Sequence, residues 1–187
     1  MMTKFIILFL ALQINVSGQN KYNLNCDSSI LYCSEKILID FAEQGINERE
    51  NKDIIFEFIK KSGGNNINDA WCYALQYYSF FKCSNINIIP RSLVANSVFN
   101  YALKNGKKAK YEAARHDLIV WKKYNSWKGH IERIIRVINK NLVITIGGNT
   151  SKYKGSNSNG DGIFYKQRNI RSALSRYLLI RGLIGFK

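Results

Sequence analysis

The chain has 187 residues, 46% of them hydrophobic, and its 28 Lys/Arg against 13 Asp/Glu give a formal net charge of +15. That hydrophobic fraction argues against a disordered chain, and a single proline with few Gly/Ser runs argues against a flexible linker dividing two domains. No segment approaches the ~18 uninterrupted apolar residues of a membrane-spanning helix.

Met1 to Lys4 form a short basic start, Phe5 to Leu12 an apolar stretch, and Val16-Ser17-Gly18 a small-residue cleavage site. Residues 1–18 read as a signal peptide, which places the mature chain in a secreted or periplasmic setting. Residues 19–35 form a polar N-terminal segment in which Cys26 and Cys33, seven apart, have a spacing that can close a small disulfide loop. Cys83 reads either as a buried small residue or as the partner of one of them. Ile37, Leu38 and Phe41 suggest a first helix ending near Gly45, and Ile54, Ile55, Phe58 and Ile59 a second ending at Gly63-Gly64. A third is expected from Trp71 to about Phe81, burying Trp71, Leu75 and Tyr78, and a fourth over 91–103. Beyond Tyr111 the texture changes to short β-type runs at 118–121, 131–138, 142–146, 162–165 and 178–186. Helices first and strands afterwards predict an α+β fold, with N-terminal helices packed on an antiparallel sheet.

Three residues with complementary chemistry fall at the tips of these elements. Cys72 lies where the third helix begins, His130 at the start of a strand, and Asn149 just past the end of the next. A free thiol near pKa 8.5 is mostly protonated at neutral pH, so a cysteine nucleophile needs an imidazole to take its proton and a third polar group to orient that imidazole. The order Cys72, His130, Asn149 fits this requirement, provided that Cys72 stays out of any disulfide. At a helix start, the dipole and unpaired N–H groups favour the thiolate and can receive an oxyanion. A metal site is not expected, because there is no C-x-x-C pair and both histidines lie far from the cysteines in sequence. No cofactor motif is present.

The mature chain resembles the CHAP branch of the NlpC/P60-like cysteine peptidases and amidases, which cleave peptidoglycan. The resemblance runs through Gly45-Ile46-Asn47-Glu48-Arg49-Glu50, Ala70-Trp71-Cys72-Tyr73-Ala74-Leu75, Ile89-Pro90-Arg91-Ser92, Asp117-Leu118-Ile119-Val120-Trp121, Gly129-His130-Ile131 and Ile146-Gly147-Gly148-Asn149-Thr150, and covers roughly residues 36–187. It implies a papain-like domain over 36–187, with Cys72 as nucleophile, His130 as base and Asn149 as a site residue. Three positions depart from the pattern. Gly147 stands where many members carry a glutamate, so the imidazole lacks that carboxylate. Glu132 replaces a small residue on the same strand face as His130, and reads as a solvent-facing or Arg-paired glutamate or, alternatively, as the missing carboxylate. His116 replaces a glycine before Asp117 and reads as a turn residue.

Charge is unevenly distributed. From Gln19 to Pro90 there are 7 Lys/Arg against 9 Asp/Glu, whereas from Arg91 to Lys187 there are 20 against 4. The basic half, interleaved with Trp121, Tyr124, Trp127, Tyr153 and Tyr165, suits an anionic partner: peptidoglycan or another cell-wall polymer for an exported protein. Two alternatives stand beside the hydrolase: a catalytically inactive wall-binding domain of the same fold, and a basic nucleic-acid-binding protein, which the signal peptide opposes.

Overall fold

The computed structural model describes residues 20–150, 162–174 and 177–187; the expected signal peptide and Tyr153 lie outside them. Four helices and seven strands follow one another as β1 (Lys21–Leu24), α1 (Ser28–Glu43), α2 (Lys52–Lys61), α3 (Cys72–Phe81), α4 (Ala95–Asn105), β2 (Lys107–Ala109), β3 (Leu118–Lys123), β4 (Gly129–Val137), β5 (Leu142–Thr150), β6 (Gly162–Asn169) and β7 (Leu178–Phe186). The class is α+β. The strands form one sheet in the order β2-β1-β7-β3-β4-β5-β6. It is mixed rather than purely antiparallel, because β1 runs parallel to β7, pairing Lys21 with Leu183 and Leu24 with Phe186. Neither β1 nor β2 carries an alternating apolar pattern of useful length, so both depend on the partner edge that the rest of the chain supplies.

The helix boundaries follow local chemistry. Asp27 caps α1 by accepting from the backbone N–H and the hydroxyl of Ser29, both at 2.7 Å. The helix therefore starts well before Ile37 and takes Cys33 inside it. Gly45 ends it with a left-handed φ of 67°, and Gly63 does the same for α2 at 99°. With Cys33 on α1, the disulfide expected between Cys26 and Cys33 is replaced by Cys33–Cys83, which ties α1 to the end of α3. Cys26 and Cys72 are free thiols.

Every side chain from Cys72 to Phe80 is buried. Such a helix has no solvent face and must be covered on all sides. Tyr73, Tyr77 and Phe80 join Leu118, Val120, Ile131 and Ile184 in one cluster, while Trp71, Leu75 and Tyr78 join Leu38, Ile55, Phe58, Ile59 and Ile146 in a second. A third cluster, built on Ile119, Trp121, Ile134, Val143 and Leu183, also includes Ile170 and Ile180. The start of α3 is thereby held against the central strands. No helix among the described residues is long and apolar enough to cross a membrane.

Candidate active site

Cys72 is the first residue of α3, after Trp71. The position of this turn is set by Trp71, whose buried indole donates to Glu48 Oε1 at 2.5 Å. Glu48 lies within the Gly45–Glu50 segment singled out in the sequence, so that segment positions the residue before the thiol. Close packing continues at Gly148, where an added Cβ would lie 2.5 Å from the Trp71 ring.

His130 is the second residue of β4, and Cys72 is among the groups that act on its ring. Its Nε2 lies 3.0 Å from Glu132 Oε1. Residues two apart on a strand share a face, which explains how one strand supplies both groups. Because an ionised carboxylate only accepts, Nε2 carries the proton toward Glu132 and Nδ1 is left for the thiol. The ring also stands beside Trp121, its cross-strand partner, with centroids 5.9 Å apart.

Glu132 is fully buried and its carboxylate is saturated with donors. Arg168 of β6 grips both oxygens, Nε at 2.8 Å and Nη2 at 2.5 Å, and the Thr145 hydroxyl of β5 adds a contact of 2.5 Å. Burial alone would raise its pKa, but the hydrogen bonds from Arg168 and His130 outweigh it and hold the carboxyl well below the usual range. Burial alone would likewise lower His130, yet its hydrogen bonds to Cys72 and Glu132 dominate and push the imidazole up to about 9. Two strands, β4 and β6, and the start of α3 thus converge on a chain of side chains: Cys72, His130, Glu132, Arg168.

The sequence reading of Glu132 as solvent-facing is corrected, since it is both the arginine's partner and the carboxylate of the imidazole. The reason that Gly147 lacks a side chain is also visible. A Cβ there would lie 2.6 Å from Glu132 Cγ, so the space of a carboxylate from β5 is filled by one from β4. Asn149 falls inside β5 rather than past its end, at a left-handed φ of 51° where the β5–β6 register shifts between Gly147 and Thr150. No hydrogen bond joins it to His130 among the described residues. Asn can adopt this conformation at little cost, which accounts for its place at the irregularity.

His116 lies in the turn before β3 with φ 74°, in line with its reading as a turn residue. Its Nδ1 is 2.9 Å from Glu35 Oε2, but off the direction of a straight ring hydrogen bond. Glu35 is also held by Arg115. Asp117, next in the chain, accepts from Lys21 Nζ at 2.6 Å and from Ala114 N at 2.8 Å. Burial is the largest influence on it and pushes it up to about 6, despite the lysine. This pair ties β1 to the central sheet and lies apart from the Cys72 chain. Arg168 and Thr145 were not singled out in the sequence. Nothing distinguishes one arginine of the basic half from its neighbours until β6 is laid beside β5.

Among the described residues no cluster of His, Cys, Asp and Glu could hold a metal ion. No family model, no curated protein and no solved structure matches this chain.

Proposed function

We propose that the protein is an exported cysteine hydrolase of papain-like NlpC/P60 type that cleaves an amide or peptide bond in peptidoglycan. The observation that carries this reading is a free thiol at a helix start, acting on an imidazole whose Nε2 meets a buried, arginine-clamped carboxylate. A structural cysteine needs none of these partners. The ionised Glu132 favours imidazolium, and an imidazole held in that way beside Cys72 is placed to manage the thiol's proton during attack.

Cys72 Sγ adds to the scissile carbonyl, and the N–H groups of the first turn of α3 face the developing oxyanion. Collapse expels the amine, which takes the proton from His130, and leaves a thioester on Cys72. His130, now neutral, removes a proton from water as it attacks the thioester. The carboxylic acid departs, and its proton balance returns the imidazolium–thiolate pair. Glu132 keeps its proton-free state throughout and holds the ring in one orientation. The substrate class rests on the family resemblance and on the basic half of the chain.

Purified peptidoglycan incubated with the protein, followed by mass spectrometry of the released fragments, tests this reading. New amino and carboxyl termini are expected, and their identity separates an amidase from an endopeptidase. Cys72→Ala and His130→Ala are expected to abolish release, while His116→Ala retains it. A blank digest by the folded parent, or full activity in Cys72→Ala, would overturn the proposal; wall binding without cleavage would mark an inactive binding domain.

A further inference from the structure

The tip of the β3–β4 hairpin presents an exposed aromatic and basic surface that the hydrolase chemistry does not use. Tyr124 and Trp127 are 70% and 65% exposed, against 0% for Trp71 and 1% for Trp121. Lys122, Lys123 and Lys128 surround them and are also exposed. The start of β7 adds to the same end of the sheet. Lys122 pairs with Leu179 and Lys123 with Leu178, and Tyr124 N donates to Tyr177 O at 3.0 Å. Tyr177 and Leu179 are likewise exposed. No acidic residue occurs between Leu118 and Ile131 or between Tyr177 and Lys187.

The tip is rigidly based. Asn96 Nδ2 donates to the carbonyls of Trp127 and Lys128 at 3.2 and 3.3 Å, while Asn96 Oδ1 accepts from Arg181 at 2.8 Å. A side chain at Gly129 would meet Trp121 O at 2.3 Å and Asn96 Nδ2 at 2.7 Å, so the hairpin seats directly on α4. The exposed rings are thus displayed on an anchored turn.

We propose that this tip docks on the anionic headgroup surface of a lipid bilayer. Indole and phenol rings favour the boundary between headgroups and acyl chains, an aliphatic side chain such as Leu179 favours the layer beneath, and lysines gain from anionic lipid. A sugar-binding site would be expected to set carboxylates beside its aromatic platform to receive hydroxyl protons; the tip carries Asn125 and Ser126 but no carboxylate, and its charged groups are all lysines. The bilayer would then lie close to the Cys72 site, because Gly129 pairs with Lys122 at the patch and His130 follows directly. The proposal does not depend on the hydrolase reading.

Trp127 is an internal reporter, since the other two tryptophans are buried. The full chain is titrated with phosphatidylcholine vesicles with and without phosphatidylglycerol. Reading Trp127 itself avoids confusion with partitioning of the apolar Phe5–Leu12 stretch. With anionic vesicles, the emission is expected to shift to the blue and to be quenched by brominated acyl chains, and Trp127→Phe should lose both signals. Replacing Lys122, Lys123 and Lys128 by Gln should weaken binding on the order of a hundredfold, with unchanged near-UV circular dichroism as the control for folding. Absence of the shift, or equal responses to neutral and anionic vesicles, would overturn the proposal. So would a stronger Trp127 response to soluble glycan strands or to duplex DNA, which would give the tip to those polymers.

Discussion

The ionised state of Glu132 is the residue-level feature on which the Cys72–His130 pair depends. Its replacement by Gln keeps the shape but removes the charge that both His130 and Arg168 face. His130 is raised to about 9 in the fold, above its ordinary value near 6.5. A raised imidazole contributes stability that is complete below about pH 6.5 and is lost as pH rises through about 9. For Glu132→Gln we expect the alkaline limb of kcat/KM to move down from about 9 and activity to fall by about 10² or more. Stability should also drop by about 3 kcal/mol, because Arg168 is left without its carboxylate. A pH–rate profile of the variant that keeps its limb near 9 would remove Glu132 from this role. Gly147→Ala tests the same carboxylate from the other side. Its Cβ would press on Glu132 Cγ, so overpacking should cost about 1–3 kcal/mol, and displacement of the carboxylate by about 1 Å should lower kcat roughly 10²-fold. Activity equal to the parent would show that Glu132 can move without consequence.

At the level of elements, α3 bears two constraints at once: it is buried along its length, and its ends are tied by Trp71–Glu48 at one end and by Cys33–Cys83 near the other. The disulfide closes a sequence separation of 50 residues, for which chain entropy gives about 4 kcal/mol of stabilisation. A Cys33→Ser, Cys83→Ser double variant should therefore unfold at distinctly lower denaturant while keeping the parent's rate on any substrate when folded, since neither sulfur bonds to His130, Glu132 or Arg168. Denaturation midpoints and rates measured on one preparation check both halves. Burial is the dominant influence on Cys26 and pushes its thiol up to about 11, so alkylation of the native protein at neutral pH should label Cys72 and spare Cys26.

For the molecule as a whole, charge is concentrated in the part of the chain that builds most of the sheet. Residues from Arg91 onward carry 20 Lys/Arg against 4 Asp/Glu. Retention of the Cys72→Ala protein on insoluble wall material should fall steeply as salt shortens the Debye length from ~10 Å to ~3 Å, whereas turnover of a small soluble muropeptide by the parent should change little. Retention that ignores salt would remove electrostatics as the source of wall affinity.

The amino-acid pattern alone determined the α+β class, the ends of α1 and α2 at Gly45 and Gly63, the run of α3, and the placement of Cys72 and His130 at the starts of their elements. These are local properties: a glycine that can adopt positive φ, an apolar periodicity, a short β-type run after a turn. The tertiary structure decided the rest. Strands β1 and β2 exist because other strands offer them an edge, and the parallel pairing with β7 follows from where the chain returns. Cys33 meets Cys83 because the cap at Asp27 lengthens α1 by more than two turns. Glu132 becomes the imidazole's partner because Gly147 leaves room on β5 and Arg168 arrives from β6 to offset its charge. A carboxylate two residues after a histidine is visible in any sequence, but whether it faces water or the core depends on strands that lie 13 and 36 residues away.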